Sequence, residues 1–356
     1  MSGLRTAARE ALGLIGEVHN LPNAGEPDSP LVLAAADDRN LLSIEEEGVV
    51  KSACAVLERT FICSDERLRV GLIGTVSTAP GERGRGRASR LLERAELELR
   101  SRGCAIALLW AEDPRFYHAR GWRPIGAEDD YLLPPTLASR LPRMDVRTAT
   151  AADAPRLHEL ANAHPTRVER SVDEMRALLA CRGMQTRVAL EGERIVGYTC
   201  CGRALDLQGV VHEWGGEPHA VLALLGEELR GISDQRPGLL VIAPADASSL
   251  REALGGFDVQ PLRGILGLGK VLDRRLLAEL LQRRVGTSAR VECDAAASTV
   301  VLHGAIGGGD LSDDSLLTLL FSERGIRDDI ETLGLAFGFD ASRLPLSPFA
   351  FGLDGI

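Results

Sequence analysis

The sequence contains no Cys-x-x-Cys pair, and its seven histidines are dispersed, so the ligand spacing of a zinc site is missing. A structural metal is not expected. The seven cysteines (Cys54, Cys63, Cys104, Cys181, Cys200, Cys201 and Cys293) are odd in number, scattered and mostly set in apolar runs, which reads as buried thiols instead of a disulfide framework. No apolar run approaches the ~20 residues that cross a bilayer, and the N-terminal stretch lacks a basic segment followed by an apolar one and a cleavage site. The expectation is a cytoplasmic protein without membrane contact. Basic residues are outnumbered, Lys+Arg 41 against Asp+Glu 51, for a net charge of −10. A nucleic-acid partner is therefore not expected, since it needs a basic surface that displaces counterions. The pattern GxxxxGK with Ser or Thr next is missing, and so is GxGxxG with an acid about 20 residues on, which excludes a nucleotide P-loop and a dinucleotide-binding turn.

What is present is a chain of 356 residues, 45% hydrophobic and 26% charged, long enough for two or three domains of ordinary globular composition. A helix is predicted from Arg5 to about Val18, before a loop punctuated by proline and glycine. Apolar, β-rich runs follow over Leu31–Ala36, Leu41–Ile44 and Val49–Cys63, and a further one starts at Leu68. They form an antiparallel meander that leads into the stretch from Gly74 to Tyr117.

In that stretch a strand ends at Thr78, a turn rich in arginine and glycine follows, and an amphipathic helix runs to about Arg102. Ala88, Leu91, Leu92, Ala95 and Leu99 make one apolar stripe at helical period, and Gly103 stops the helix. On the outer face Glu96 with Arg100, and Glu98 with Arg102, are spaced to pair. The run Cys104–Ala111 has no polar alternation, as expected of a strand buried on both faces. Strand, crossover helix and buried strand imply parallel pairing.

A strand that turns tightly into a helix gathers free N–H groups at one point, and such a point binds anions. Here the turn and helix start hold Arg83, Gly84, Arg85, Gly86, Arg87, Ala88 and Ser89. The small residues let backbone approach a ligand and three arginines add positive charge, so a diphosphate is the natural guest. A solvated arginine-rich loop would explain the charges but not the Gly and Ala pattern.

Arg-x-x-Gly-x-Ala over Arg83–Ala88, preceded by VSTAP and followed by SRLLERAE, resembles the acyl-CoA-binding motif of the GCN5-related N-acetyltransferases. FYHARGW, from Phe116 to Trp122, is similar to that family's FYxxxGF segment. The resemblance implies acetyl-CoA as co-substrate, with no metal. Its pyrophosphate would lie on the N–H groups of Arg83–Ser89 and its pantetheine arm along the strand at Val76 and Thr78. It also implies a transfer in which a neutral amine attacks the thioester, strand N–H groups meet the oxyanion, and Tyr117 returns a proton to the departing thiolate. The alternative for Tyr117 is a core tyrosine beside Phe116. His118 is expected to face solvent. A base is harder to name: Glu112 and Asp113 end the buried strand, Glu45, Glu46 and Glu47 sit in a turn, and many family members deprotonate the amine through water.

After a linker marked by Pro134, Pro135 and Pro142, helix-start boxes at Thr150/Asp153 and Ser171/Glu174 open a second region. VRTATAADAPRLHEL and EGERIVGY resemble the first helix and hairpin of the same fold. Where the pyrophosphate turn belongs the chain reads EWGGEPHAVLALL: Gly215 and Gly216 remain, but the arginine is gone and Glu213 and Glu217 would repel a diphosphate. This copy is expected to be structural or to shape the substrate cleft. His212, Glu213 and Trp214 could line that cleft, or form the satisfied polar end of a strand.

The whole is an α/β chain with mixed sheets, two tandem acyltransferase folds and a small α+β unit. Its expected domains are residues 1–143, 144–272 and 273–356. Its order resembles the enhanced-intracellular-survival (Eis) type of acetyltransferase, whose third domain is similar to sterol-carrier proteins. That resemblance implies that the chain's own terminal carboxylate, on Ile356, serves as the base. The function expected is acetyl transfer from acetyl-CoA to a primary amine. A cationic one suits the acidic chain: an aminoglycoside, a polyamine or a peptide lysine. The alternatives are an acyl-CoA-binding sensor or scaffold without turnover, and an enzyme for longer acyl chains. Self-association into a homo-oligomer stays open.

Overall fold

The computed structural model describes residues 6–20, 30–32, 39–203, 206–232, 236–294, 296, 298–322 and 327–354. After helix α1 (Thr6–Val18) come three strands, β1 (Leu41–Glu46), β2 (Val49–Cys63) and β3 (Glu66–Thr78). Tight turns join them, with Glu47, Gly48 and Ser64 in left-handed backbone. Helix α2 (Arg87–Ser101), β4 (Ile106–Leu109), the one-turn helix α3 (Arg115–His118), β5 (Arg123–Ile125) and β6 (Glu128–Leu133) follow. Next are β7 (Asp145–Thr148), α4 (Ala154–Asn162), β8 (Thr166–Val168), α5 (Val172–Leu178), β9 (Gln185–Glu191), β10 (Arg194–Arg203) and β11 (Asp206–Gly216). Helix α6 (Pro218–Arg230), β12 (Leu239–Pro244), α7 (Ser248–Gly255), β13 (Leu262–Gly264) and β14 (Gly267–Val271) complete the larger sheets. The last part holds α8 (Arg274–Val285), β15 (Arg290–Cys293), β16 (Val300–His303), β17 (Gly308–Leu311), α9 (Asp313–Phe321) and α10 (Arg327–Phe337).

The chain divides into two compact units. The first joins Leu41–Ala127 to Ile265–Phe349. Its main sheet runs β1-β2-β3-β4-β14-β5, with β3 and β4 parallel and the other neighbours antiparallel. The stripe of α2 lands on this sheet: Leu91, Leu92, Ala95 and Leu99 are buried against Cys54, Val56, Ile73, Ala107, Leu109 and Trp122. Gly71 permits the contact, because a Cβ there would sit 2.6 Å from Leu99 Cδ1. A second, three-stranded sheet, β15-β16-β17, belongs to the same unit.

The second unit is built from Met1–Asn40, Glu128–Gly264 and Ala350–Gly355. Its sheet runs β13-β6-β12-β11-β10-β9-β7, and β11 and β12 are its parallel pair. Helix α6 is buried on nearly all sides from Ala220 to Gly226, which suits its continuous apolar sequence. Both helix-start boxes form as expected, Thr150 with Asp153 and Ser171 with Glu174.

Several expectations are corrected. The strand expected to close the first domain, β6, pairs with β12 and β13 in the second sheet. The run Leu262–Val271 is divided, and its second half, β14, lies between β4 and β5 of the first sheet. Glu98 pairs with Arg102 as expected, but Glu96 accepts from Lys270 Nζ of β14 at 2.8 Å, not from Arg100. Residues 31–32 form a turn, and the rest of the strand expected at Leu31–Ala36 lies outside the described residues. The seven cysteines form no disulfide, and five are buried. No helix among the described residues is long and apolar enough to cross a membrane. No cluster of His, Cys, Asp and Glu among them could hold a metal.

Candidate active site

Ala53 of β2 faces Ser77, but Ala55 faces Gly74, so Cys54 stands opposite two residues of β3, Thr75 and Val76. This is a β-bulge. Thr75 takes it up in left-handed backbone, φ 50°. The Ser77 hydroxyl donates to the Thr75 carbonyl at 2.9 Å, and the Ser52 hydroxyl donates to the Ser77 carbonyl at 2.7 Å, so side chains hold the irregular segment in place. On its other edge β3 pairs with β4 only from Val70–Ile106 to Leu72–Leu108. Beyond Leu72 the two strands part. An amide-bearing arm can add to the freed edge as a strand would, and Val76 and Thr78 lie on that segment.

Past β3, Gly84 and Gly86 both adopt left-handed backbone, φ 75° and 74°, and Gly86 is the N-cap of α2. A Cβ at either would meet nothing within 4 Å. Backbone conformation, not crowding, therefore calls for glycine. No side chain caps α2, so its leading N–H groups remain open to an anion, with Ala88 and Ser89 in the same first turn.

The three arginines divide their work. Arg87 is buried, and its guanidinium pairs with Glu46 and, at 3.1 Å, with Glu82. That side chain fixes the turn to β1 and is not available to a phosphate, which corrects one part of the sequence expectation. Arg85 is exposed and pairs with Glu82 at 3.1 Å, while Arg83 is exposed and donates from Nε to the Thr78 carbonyl at 3.4 Å. Arg83 and Arg85 are the two that offer charge outward.

Tyr117 meets Phe116 and Trp122 edge-on, with ring centroids 5.1 and 6.2 Å away, and joins the apolar cluster that holds Cys54 and Val76. The phenol thus belongs to the same cluster as the bulge. Burial, and after it the Cys54 thiol, pushes its pKa above the usual tyrosine value. Cys54 is itself pushed up to about 12 by burial, so both groups keep their protons at neutral pH. His118 is exposed, as expected.

Sequence reasoning missed Arg120. Its guanidinium donates to the Ser89 hydroxyl at 2.7 Å and to the Phe116 carbonyl at 2.6 Å, and lies 3.8 Å from the Phe116 ring centroid. It ties α3, and with it Tyr117, to the first turn of α2. The Ser89 hydroxyl serves this tie, and the Ser89 backbone N–H is the group expected to meet the cofactor. Nothing in the local sequence marks Arg120 apart from its place three residues after Tyr117.

Two of the candidate bases, Asp113 and Glu46, are occupied. Asp113 receives both Nε and Nη2 of Arg115, at 2.8 and 2.7 Å, and the side-chain hydrogen bond from Arg115 holds its pKa down at about 2. Glu46 is engaged by Arg87 and, at 3.7 Å, by Arg90. Ile356 lies outside the described residues.

The second unit repeats the plan without the glycine-capped turn. Cys200 faces Glu213 and Cys201 faces Val211, so His212 is the extra residue of a bulge on β11. Parallel pairing with β12 is limited to Val210–Leu240 and Val211–Val241. Helix α6 starts at Pro218 after Glu217, without an arginine-bearing turn. Glu213 is buried and bound by Arg170 through two bonds, of 2.7 and 2.8 Å, and by the Tyr198 hydroxyl at 2.8 Å.

A bulged strand whose parallel pairing ends before the bulge, followed by a helix, is the acyl-CoA N-acyltransferase fold, present here twice in tandem with mixed sheets, and the glycine cap belongs to the first copy. Residues 26–125 match the model of the acetyltransferase (GNAT) domain, so the first of the two folds is the domain of an acyltransferase enzyme. No curated protein matches the sequence. Among solved structures the chain is similar to a conserved protein of Enterococcus faecalis described as a probable N-acyltransferase (14% identity, 99% of this chain and 98% of that one, TM-score 0.69). It is similar also to a GCN5-related N-acetyltransferase of Kribbella flavida (17%, 99% and 98%, TM-score 0.63). Eis1 of Mycobacterium abscessus is a further likeness (15%, 99% and 98%, TM-score 0.60). At these identities the likeness is one of fold.

Proposed function

We propose that the protein transfers acetyl from acetyl-CoA directly to a primary amine, using the first unit's site. One observation carries this reading: the bulged, splayed end of β3 and the glycine-capped start of α2 stand with Tyr117 beside the bulge. Arg83, Gly84, Arg85, Gly86, Ala88 and the backbone of Ser89 receive the pyrophosphate, and Arg87 braces the turn. Val76 and Thr78 take the pantetheine arm. The amine attacks the thioester, N–H groups of the bulge meet the oxyanion, and Tyr117, held protonated by burial, protonates the thiolate. The net charge of −10 favours a cationic amine, an aminoglycoside, polyamine or peptide lysine.

In the same reading the protein is cytoplasmic and built like the Eis type. The part that holds β15-β16-β17 is similar to sterol-carrier proteins. The base is the terminal carboxylate of Ile356. A chain extended beyond Ile356 should lose most of its turnover and keep its acetyl-CoA affinity; full turnover would remove that carboxylate from the reaction.

The engagement of Asp113 and Glu46 favours a second reading, an acyl-CoA sensor or scaffold without turnover. A panel of amines incubated with acetyl-CoA, with free CoA thiol as readout and an amine-free control for the protein's own cysteines, separates the two. Release dependent on an amine is expected. Binding of acetyl-CoA without release from any amine would establish the sensor.

A further inference from the structure

The second unit keeps the bulge and the parting strands but has lost the cradle for a diphosphate, which leaves its role open. Beyond its last pairing with β12, at Val211, β11 continues through His212, Glu213 and Trp214 toward Gly216. In the function proposed above, on which this inference rests, the equivalent stretch of the first unit faces the cofactor. In the second, the segment 350–354 of the same chain meets each of these three residues. Gly352 lies against His212 so closely that a Cβ would stand 2.6 Å from Nδ1, a buried ring nitrogen with no hydrogen-bond partner. Phe351 lies against Trp214 and His164, with ring centroids 6.2 and 5.1 Å away. Asp354 reaches Glu213 through Arg170, whose Nε donates to Asp354 Oδ1 at 2.7 Å while Nη1 and Nη2 hold the glutamate. Arg203 adds a bond of 2.6 Å to the Gly352 carbonyl.

Arg170, Glu213 and Asp354 expose 5%, 1% and 0% of their side chains. Ions so buried repay their desolvation only when fully paired, and removing one partner is far more disruptive than losing a surface bridge. A passive covering segment needs no such cluster, because apolar contact alone would seat Phe351. The charges add one register and one direction to the contact.

We propose that the second unit is a dock for the chain's own C-terminal segment, with Arg170 as the latch, and that this docking replaces acyl-CoA binding as the work of the second copy. The groove takes Phe351–Asp354 along the strand that the first unit offers to its cofactor.

The test is digestion of the full-length chain with a carboxypeptidase, followed by intact mass, for the wild type, Asp354→Asn and Phe351→Ala. Phe351→Ala leaves the ion cluster complete and reports on the dock should Asp354→Asn fail to fold. Trimming of the wild type is expected to halt at Asp354, and in the variants to pass through residue 351 about tenfold faster or more, since cleavage follows local opening. Acetyl-CoA titration is expected to give one site per chain in all three proteins. Wild-type trimming rates in both variants would overturn the latch. A second acetyl-CoA site, in any of the three, would overturn the claim that docking has replaced cofactor binding.

Discussion

Tyr117 has three properties that an acid in this reaction needs: contact with the bulge cluster, a retained proton, and a fixed position through Arg120 and Phe116. Tyr117→Phe keeps the ring contacts and removes only the proton. It should lower kcat by about tenfold or more and leave KM for acetyl-CoA unchanged, within what general acid catalysis supplies. An unchanged kcat would return the residue to the core. Glu128 makes a separate statement. Burial, and after it Asp130, raises its pKa to about 8 from 4.5. A raised folded pKa means that the folded chain holds the proton longer than the unfolded one, so stability is lost as pH rises between about 4.5 and about 8. Glu128→Gln escapes that loss. Its melting temperature should exceed the wild type's at pH 8 and match it near pH 4, and scanning calorimetry across that range would read the crossover.

At the scale of elements, what could be read from the sequence was local. The α2 stripe, both helix-start boxes and the strand–turn–helix order depend on residues close along the chain, and each stands where its pattern placed it. Sheet membership was not legible. β6 and β14 are recognisable as strands, but nothing in either sequence names a partner, and each pairs in the sheet opposite to the one expected. The bulge was hidden for the same reason: Thr75 in left-handed backbone is imposed by its register with Cys54 and by the Ser77 hydroxyl. Glu96 shows a tertiary partner, Lys270, displacing a helical one. The α2–β3 contact is open to direct test. Gly71→Val forces Leu99 off its site and should destabilise the protein by about 1–3 kcal/mol in urea unfolding, the usual cost of overpacking.

Taken as a whole, the molecule carries one fold twice, with the glycine-capped helix start in the first copy alone. In the first unit the bulged strand is followed by a glycine-capped turn whose N–H groups have no side-chain cap; in the second the same strand meets the chain's own segment and is followed by Glu217. This difference turns on few residues, Gly86 foremost among them, since its φ of 74° is closed to a β-branched side chain. Titration of acetyl-CoA into the wild type and into Gly86→Val therefore bears directly on where the cofactor is held. The expected result is one acetyl-CoA per wild-type chain and an affinity about tenfold or more weaker in the variant, whose strained turn lowers its melting temperature by about a few degrees without unfolding it. Equal affinity in the two proteins would contradict the assignment of the cofactor to this turn.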